Sequence, residues 1–443
     1  MQNFTNLEEL KNANLKIGDT VSLDIKPYII GNFKITEKNP LSNGYSVLDL
    51  GETSAVRFFD EYNDWNRNIP KKTLISHKGY SGWLDFETLL HEPTSNGIYP
   101  ANTMGSITHS IRLGFKFLEI DITMTGDGVW IVSHEHNTLF MQTEKHTRFL
   151  DMTYEEISKK PLIRDWKGGG FWHYSDHIAK EYVPTLDEAL SFLKQQEGVF
   201  VILDCKWPSD YTYTDKDMDS LAEIIKKHDM VSRVAPYAAC MNPLCKRLPE
   251  ATATILNKPD VEDKFFIDYV KSYKNHTIDV SLNAYKSFVP LCKENDIPLT
   301  VWFADDYTLV DEGFENGIDY LMTNYCLVNP NLSDYTEIYD FTKDFGGSEL
   351  VLDYDSLKLR TGDIISVKAK ANGEARISVS TIDAPVLRST NIDLSNEKNE
   401  RALYYVVNDC YEYDLKVSFN PKGSCALEGI EIKILRETAR GEK

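Results

Sequence analysis

The chain contains no apolar run of 18 or more residues, so no segment is long enough to span a bilayer as a helix. Its first twenty residues are polar and carry no apolar signal core, so classical secretion is not expected. Cysteine is scarce: there are seven, an odd number, with no Cys-x-x-Cys pair. That argues against a zinc site and points to buried free thiols in a protein made under reducing conditions. Basic residues are also too few for a nucleic-acid partner. Lys and Arg number 48 against 68 Asp and Glu, a formal charge of −20, where non-specific nucleic-acid binding needs the opposite sign. Neither nucleic acid nor membrane is an expected partner. The negative charge favours solubility. A polyanionic substrate would need a cation and nearby lysines to reverse the local field.

The chain has ordinary apolar (42%) and charged (26%) content and a good supply of aromatics (12%, with 24 Tyr). At 443 residues it exceeds what one core usually supports, so two or three domains are expected. Texture divides it into three. Residues 1–70 read as a small β-rich unit, with strands near 20–25, 28–36, 45–50 and 55–59 and an Asn43-Gly44 hairpin signal. Residues 71–335 alternate strands with helices, the pattern of an α/β parallel sheet, over a length typical of a (β/α)8 TIM barrel. Nine strand candidates (73–76, 117–121, 129–133, 199–204, 234–238, 253–255, 277–281, 299–303 and 320–322) compete for eight places. After a linker at 335–347, residues 345–443 return to short alternating strands (350–352, 364–370, 375–380, 403–407, 413–419 and 430–435) and read as an antiparallel β-sandwich.

The chemistry gathers at strand ends. His77-Lys78-Gly79, Glu119-Ile120-Asp121, Ser133-His134-Glu135 and Asp204-Cys205-Lys206 each follow or close a short apolar, β-branched run. In a parallel barrel the carboxyl ends of the strands form one rim, where distant side chains converge. Glu119 and Asp121, two apart on a strand, face the same way and repel unless a cation lies between them. With Asp204 they make three hard oxygen ligands, suited to Ca²⁺ or Mg²⁺ rather than Zn²⁺. His77 and His134 are the acid–base candidates, and Lys78 and Lys206 would neutralise phosphoryl oxygens.

These strings, with others in the same order, make the middle segment resemble the glycerophosphodiester phosphodiesterases. That family's His-Arg-Gly, Pro-Glu-Asn-Thr, Glu-x-Asp, His-Asp, Glu-x-Lys and Trp-Thr-x-Asn correspond here to successive segments. They are His77-Lys78-Gly79, Pro100-Ala101-Asn102-Thr103, Glu119-Ile120-Asp121, Ser133-His134-Glu135, Asp204-Cys205-Lys206 and Trp302-Phe303-Ala304-Asp305. Gly317-Ile318-Asp319-Tyr320-Leu321-Met322-Thr323-Asn324 looks like the closing strand. The resemblance implies a TIM barrel and a metal-dependent phosphodiesterase. It makes Glu119, Asp121 and Asp204 metal ligands, with Ca²⁺ favoured over Mg²⁺. His77 and His134 become acid and base, and the glycerol 2-hydroxyl can act as an internal nucleophile. Lys78, Asn102, Lys206 and Trp302 become substrate contacts, with Asn102 also orienting a neighbour by hydrogen bonding; Trp172 joins them on a Gly-rich aromatic loop at 166–174 that could close over a polymer. Three departures stand out: Lys78 replaces an arginine fork with a point charge, Ala101 removes a glutamate, and Asp204 is one methylene short.

The amino-terminal strings Asn6-Leu7-Glu8-Glu9-Leu10-Lys11, Leu15-Lys16-Ile17-Gly18-Asp19-Thr20-Val21 and Gly31-Asn32-Phe33-Lys34-Ile35 are similar to the heads of bacteriophage tail-spike and tail-appendage proteins. That similarity implies attachment to tail or baseplate proteins, a place in the virion tail acting at the host surface, and by analogy a homotrimer. Together the two resemblances point to poly(glycerol phosphate) teichoic acid of Gram-positive walls as substrate, with the sandwich serving carbohydrate binding or oligomerisation. Two rivals remain at this stage: a bacterial phosphodiesterase of deacylated phospholipids, and a non-catalytic teichoic-acid adhesin.

Overall fold

The computed structural model describes residues 2–4, 9, 20–25, 29–38, 45–49, 71–79, 101–137, 147–162, 181–206, 211–256, 263–324, 326–360, 362–382, 389–407 and 414–438. Strands β1 (Gln2–Phe4), β2 (Thr20–Ile25), β3 (Ile29–Lys38) and β4 (Tyr45–Asp49) form one sheet in sequence order. Within it β1 and β2 are parallel and the other pairs antiparallel. The strand expected at 55–59, the Asn43-Gly44 turn and the 166–174 loop lie outside the described residues.

The next nine strands are β5 (Thr73–Ser76), β6 (Phe117–Met124), β7 (Trp130–Val132), β8 (Phe200–Cys205), β9 (Val234–Ala238), β10 (Thr252–Leu256), β11 (Asn275–Ser281), β12 (Leu299–Trp302) and β13 (Tyr320–Thr323). Eight of them lie in the order β10-β11-β12-β13-β5-β6-β8-β9, and every hydrogen-bonded pair along this path is parallel. β9 and β10 lie side by side at its two ends, which closes a (β/α)8 barrel. The surplus candidate is β7. Among the described strands it pairs with β6, antiparallel, because the turn at 125–129 is too short for the crossover that a parallel neighbour requires.

Period-two alternation sorts the barrel residues. On one face of the strands Ile75, Phe117, Phe200, Ile202, Ala235, Tyr320 and Met322 form a plug of packed side chains. On the other face Leu118, Ile120, Ile122, Val201 and Leu203 meet the helices. Helix Leu186–Lys194 illustrates the outer layer: Leu186, Ala189, Leu190 and Leu193 are buried at helical spacing. Its start is fixed by a reciprocal capping box between Thr185 and Glu188. No helix among the described residues is long and apolar enough to cross a membrane. Cys205, Cys240, Cys245, Cys292 and Cys326 are buried free thiols.

The remaining strands are β14 (Tyr335–Asp340), β15 (Glu349–Leu352), β16 (Ile364–Ala371), β17 (Ala375–Thr381), β18 (Ser389–Leu394), β19 (Glu400–Val406), β20 (Leu415–Pro421) and β21 (Leu427–Glu437). They form two antiparallel sheets, β14-β21-β16-β19 and β15-β20-β17-β18, whose buried residues join one core. Two of these strands depart from the sequence expectation. The stretch expected to begin a linker is β14, an edge strand paired with β21, and β18 was not anticipated. The mostly polar TEIYD and STNIDL segments give only a faint alternation signal. The barrel packs on this unit through Arg112, which pairs with Glu437 and Asp334, and Arg401, which pairs with Asp311. Tyr307 adds a hydroxyl bond to the carbonyl of Tyr404, and Asp306 accepts from the Asn391 side-chain amide.

Candidate active site

The carboxyl ends of the barrel strands surround a cavity of about 800 Å³ lined by His77, Lys78, Glu119, His134, Asp204 and Lys206, among others. β5 delivers His77 and Lys78. Here the chain turns with positive φ at Lys78 (53°) and Gly79 (66°). A Cβ on Gly79 would lie 2.9 Å from Ser106 Oγ and 3.1 Å from the Ile107 nitrogen, so glycine is required in His-Lys-Gly. The Lys78 N–H donates to Glu119 Oε2 at 2.9 Å, fixing the first carboxylate.

β6 supplies Glu119 and Asp121 on one face, and β8 places Asp204 in register with Asp121. One oxygen from each lies within 4.8 Å of the others. Adjacent strands in direct register therefore offset the methylene that Asp204 lacks. All three side chains are buried. Glu119 Oε1 and Asp204 Oδ1 have no hydrogen-bond partner among the described residues, an arrangement costly in a buried anion unless something positive lies between. Burial, then the charges of Asp121 and Asp204, push the Glu119 carboxyl well above its usual range. Burial also raises Asp204. Asp121 goes the other way: burial would raise it, but the Lys206 and Lys78 ammoniums hold it well below the carboxylate range. Lys206 Nζ contacts Asp204 and lies 3.1 Å from Asp121, while Lys78 Nζ is 3.9 Å from Asp121. Three carboxylates against two ammoniums leave the cluster short of positive charge. The all-oxygen donor set fits a hard divalent cation.

His77 is held by a relay that the sequence strings contained without revealing its logic. Asp305 accepts from the Thr323 hydroxyl at 3.0 Å, and from the Asn324 N–H and Nδ2 at 2.6 Å each. Because Nδ2 faces a carboxylate, Oδ1 must face His77, and it accepts from Nδ1 at 2.7 Å. The tautomer follows: Nδ1 carries the proton and Nε2 presents a lone pair, 3.7 Å from Glu119 Oε2. Burial, then Lys78, pull the imidazole well below its ordinary value, which favours the neutral ring. Phe303, also missed, lies against that ring at 4.4 Å. His134, more exposed, pairs its Nδ1 with Glu135 at 2.9 Å.

Among the expected substrate contacts, Lys78, Lys206 and Trp302 line the cavity. Asn102 instead uses its amide on Asp121: Nδ2 donates to Oδ2 at 2.7 Å, and Oδ1 accepts from the Asp121 N–H at 3.0 Å. It orients a carboxylate. The left-handed backbone at Asn102 (φ 59°), which asparagine tolerates, allows this approach. Trp172 lies outside the described residues.

Residues 94–327 match the model of the glycerophosphoryl diester phosphodiesterase family. The chain is similar to a glycerophosphodiester phosphodiesterase of Caldanaerobacter subterraneus subsp. tengcongensis, 22% identical over 240 residues that cover 53% of this chain and 93% of that protein. It is also similar to glycerophosphodiester phosphodiesterase 1 of Mus musculus, 29% identical over 92 residues, covering 21% and 26% respectively. Among solved structures, an Oleispira antarctica phosphodiesterase in complex with sn-glycerol-3-phosphate aligns at a TM-score of 0.46 and 16% identity, covering 59% of this chain and 96% of that one.

Proposed function

Since a match over more than half its length makes this chain a member of the glycerophosphoryl diester phosphodiesterase family, we propose that the cavity hydrolyses glycerophosphodiester bonds with His77 and His134 as base and acid. The observation that carries this reading is the triad of buried, incompletely partnered carboxylates at a cavity that both histidines line. Glu119, Asp121 and Asp204 would hold a divalent cation, and calcium is the ion we propose. When bound, it would draw charge from the phosphoryl oxygens and lower the cost of the developing anion. Lys78 and Lys206 add point charges from the same side. His77 Nε2, freed for acceptance by the Asn324 contact, takes the proton of the attacking hydroxyl, either the glycerol 2-hydroxyl or water. His134 gives its proton to the departing alkoxide, with the Glu135 carboxylate beside the ring.

The physiological substrate we propose is poly(glycerol phosphate) teichoic acid, cut by a virion tail protein that acts at the host surface. Support comes from the amino-terminal strings that resemble tail-appendage heads, which would dock on tail or baseplate proteins, and the same likeness suggests a homotrimer. Incubation of the purified chain with teichoic acid, with and without chelator, tests this by product identification. Calcium-dependent release of glycerol phosphate, faster per bond than from glycerophosphocholine, is expected. Equal rates on both substrates would favour a phosphodiesterase of deacylated phospholipids, and binding without turnover would favour the adhesin.

A further inference from the structure

The barrel wall facing the carboxylate triad carries polar groups that the reaction does not use. In the eight-strand ring β11 lies four places from β6, directly across the barrel. Its inward residue at this level is Asp279, 1% exposed and lining the cavity. Neither of its carboxylate oxygens has a hydrogen-bond partner among the described residues. Around the same cavity stand Trp302 and Thr254, whose indole Nε1 and hydroxyl make no hydrogen bond among the described residues, and Tyr237, which is in register with Asp204. Burial drives the Asp279 carboxyl well above its usual range; hydrogen-bonding attraction from Tyr237 and Trp302 opposes part of that shift, so both donors stand beside the carboxylate without reaching hydrogen-bond geometry.

Polar atoms this deep are costly unless water or a ligand completes them, and a ligand that displaces the water must supply equivalent bonds. An apolar ligand group would leave all of them unpaired. A phosphate would face Asp279 and Asp204 without a lysine on that wall. A quaternary ammonium would suit Asp279 but leave the indole N–H without an acceptor. A hydroxyl both donates and accepts, so it can satisfy a carboxylate oxygen and an indole or phenol donor together.

We propose that Asp279, flanked by Tyr237, Trp302 and Thr254, is a hydroxyl-binding subsite that grips the polyol portion of a phosphate ester whose phosphate lies at the lysine and carboxylate side. This rests on the reading of the cavity as a phosphodiesterase site and adds the residue that selects polyol over simple alkyl esters. Discrimination of this kind, where a buried group goes unpaired with the wrong ligand, commonly reaches about 10-fold to 100-fold.

Calorimetric titration of the full chain in calcium with sn-glycerol 3-phosphate and with methyl phosphate tests it. The wild type should bind the glycerol ester at least ~10-fold more tightly. In Asp279→Leu that ratio should fall to within about 2-fold, with methyl phosphate affinity held; Asp279→Asn, nearly isosteric, should lower it part of the way. A wild type without preference, a ratio retained in both variants, or equal weakening of both ligands in Asp279→Asn would overturn the subsite. Hydrolysis of glycerophosphocholine, a diester, measured on the same protein preparations separates the two claims. Polyol preference without hydrolysis would sink the phosphodiesterase reading alone, whereas hydrolysis with the ratio retained in the variants would sink the subsite alone.

Discussion

At the level of single residues, the proposed chemistry depends on groups that hold other groups still. Asp305 fixes the Asn324 amide, and Asn324 fixes the proton on His77. His77→Ala and His134→Ala should each lower kcat by about 10²- to 10⁴-fold, the usual share of a positioned acid or base. Circular dichroism of both variants should match the wild type; retained turnover in both would remove the acid–base assignment. Asp305→Asn replaces an acceptor of three bonds with an amide, so Asn324 loses the constraint that sets its orientation. A fall in kcat of about 10-fold with little change in KM is expected, because the His77 proton is then no longer fixed. The histidines and carboxylates were legible because each stands beside its own strand run. The relay was not: its members lie on the ends of two different strands, and only their register makes them neighbours. Asn102 was legible as an orienting residue, but its partner Asp121 was not.

Elements follow rules that sequence carries unevenly. Strands buried on both faces, such as β6 and β8, gave short apolar runs easily read as barrel strands. β7 gave the same signal, and a short run alone cannot tell a barrel strand from a hairpin partner. The polar inward face of β11, with Thr277, Asp279 and Ser281 alternating with Ile278 and Val280, was a readable hint of a wet barrel wall. At the other end of β11, His276 is buried, donates from Nδ1 to the Tyr273 carbonyl at 3.0 Å, and is held down to about 4, chiefly by burial. An unfolded imidazole titrates near 6.5, so between these values the unfolded chain binds a proton that the folded chain refuses. Stability should therefore fall with pH across that window by ~1.4 kcal/mol per unit from this ring. Denaturant titrations at pH 6.5 and 4.5 should show a loss for the wild type that exceeds the loss for His276→Gln by about 2–3 kcal/mol. Equal losses would show that the ring titrates normally in the fold.

On the scale of the whole molecule, the barrel and the carboxyl-terminal sheets share a continuous apolar core stitched by ion pairs. Glu437 is nearly buried, and Arg112 is its guanidinium partner. Arg112→Ala removes that guanidinium from a nearly buried carboxylate and should cost about 3 kcal/mol in denaturant unfolding, far more than the loss of an exposed pair such as Lys286–Glu312. A parallel barrel followed by antiparallel sheets was legible from texture, but the start of those sheets was not, because β14 pairs with β21. With a formal charge of −20, the proposed phosphodiesterase would need a bound cation before it could accept a polyanion. Calcium at 100 times its dissociation constant should stabilise the fold by ~2.7 kcal/mol, an increment absent in Glu119→Gln.

The most direct measurement is anomalous diffraction from a crystal grown with calcium. The arrangement of Glu119, Asp121 and Asp204 predicts one peak with an oxygen of each carboxylate at about 2.3–2.6 Å. No peak among these residues, or carboxylates turned away from one another around an empty centre, would contradict the account.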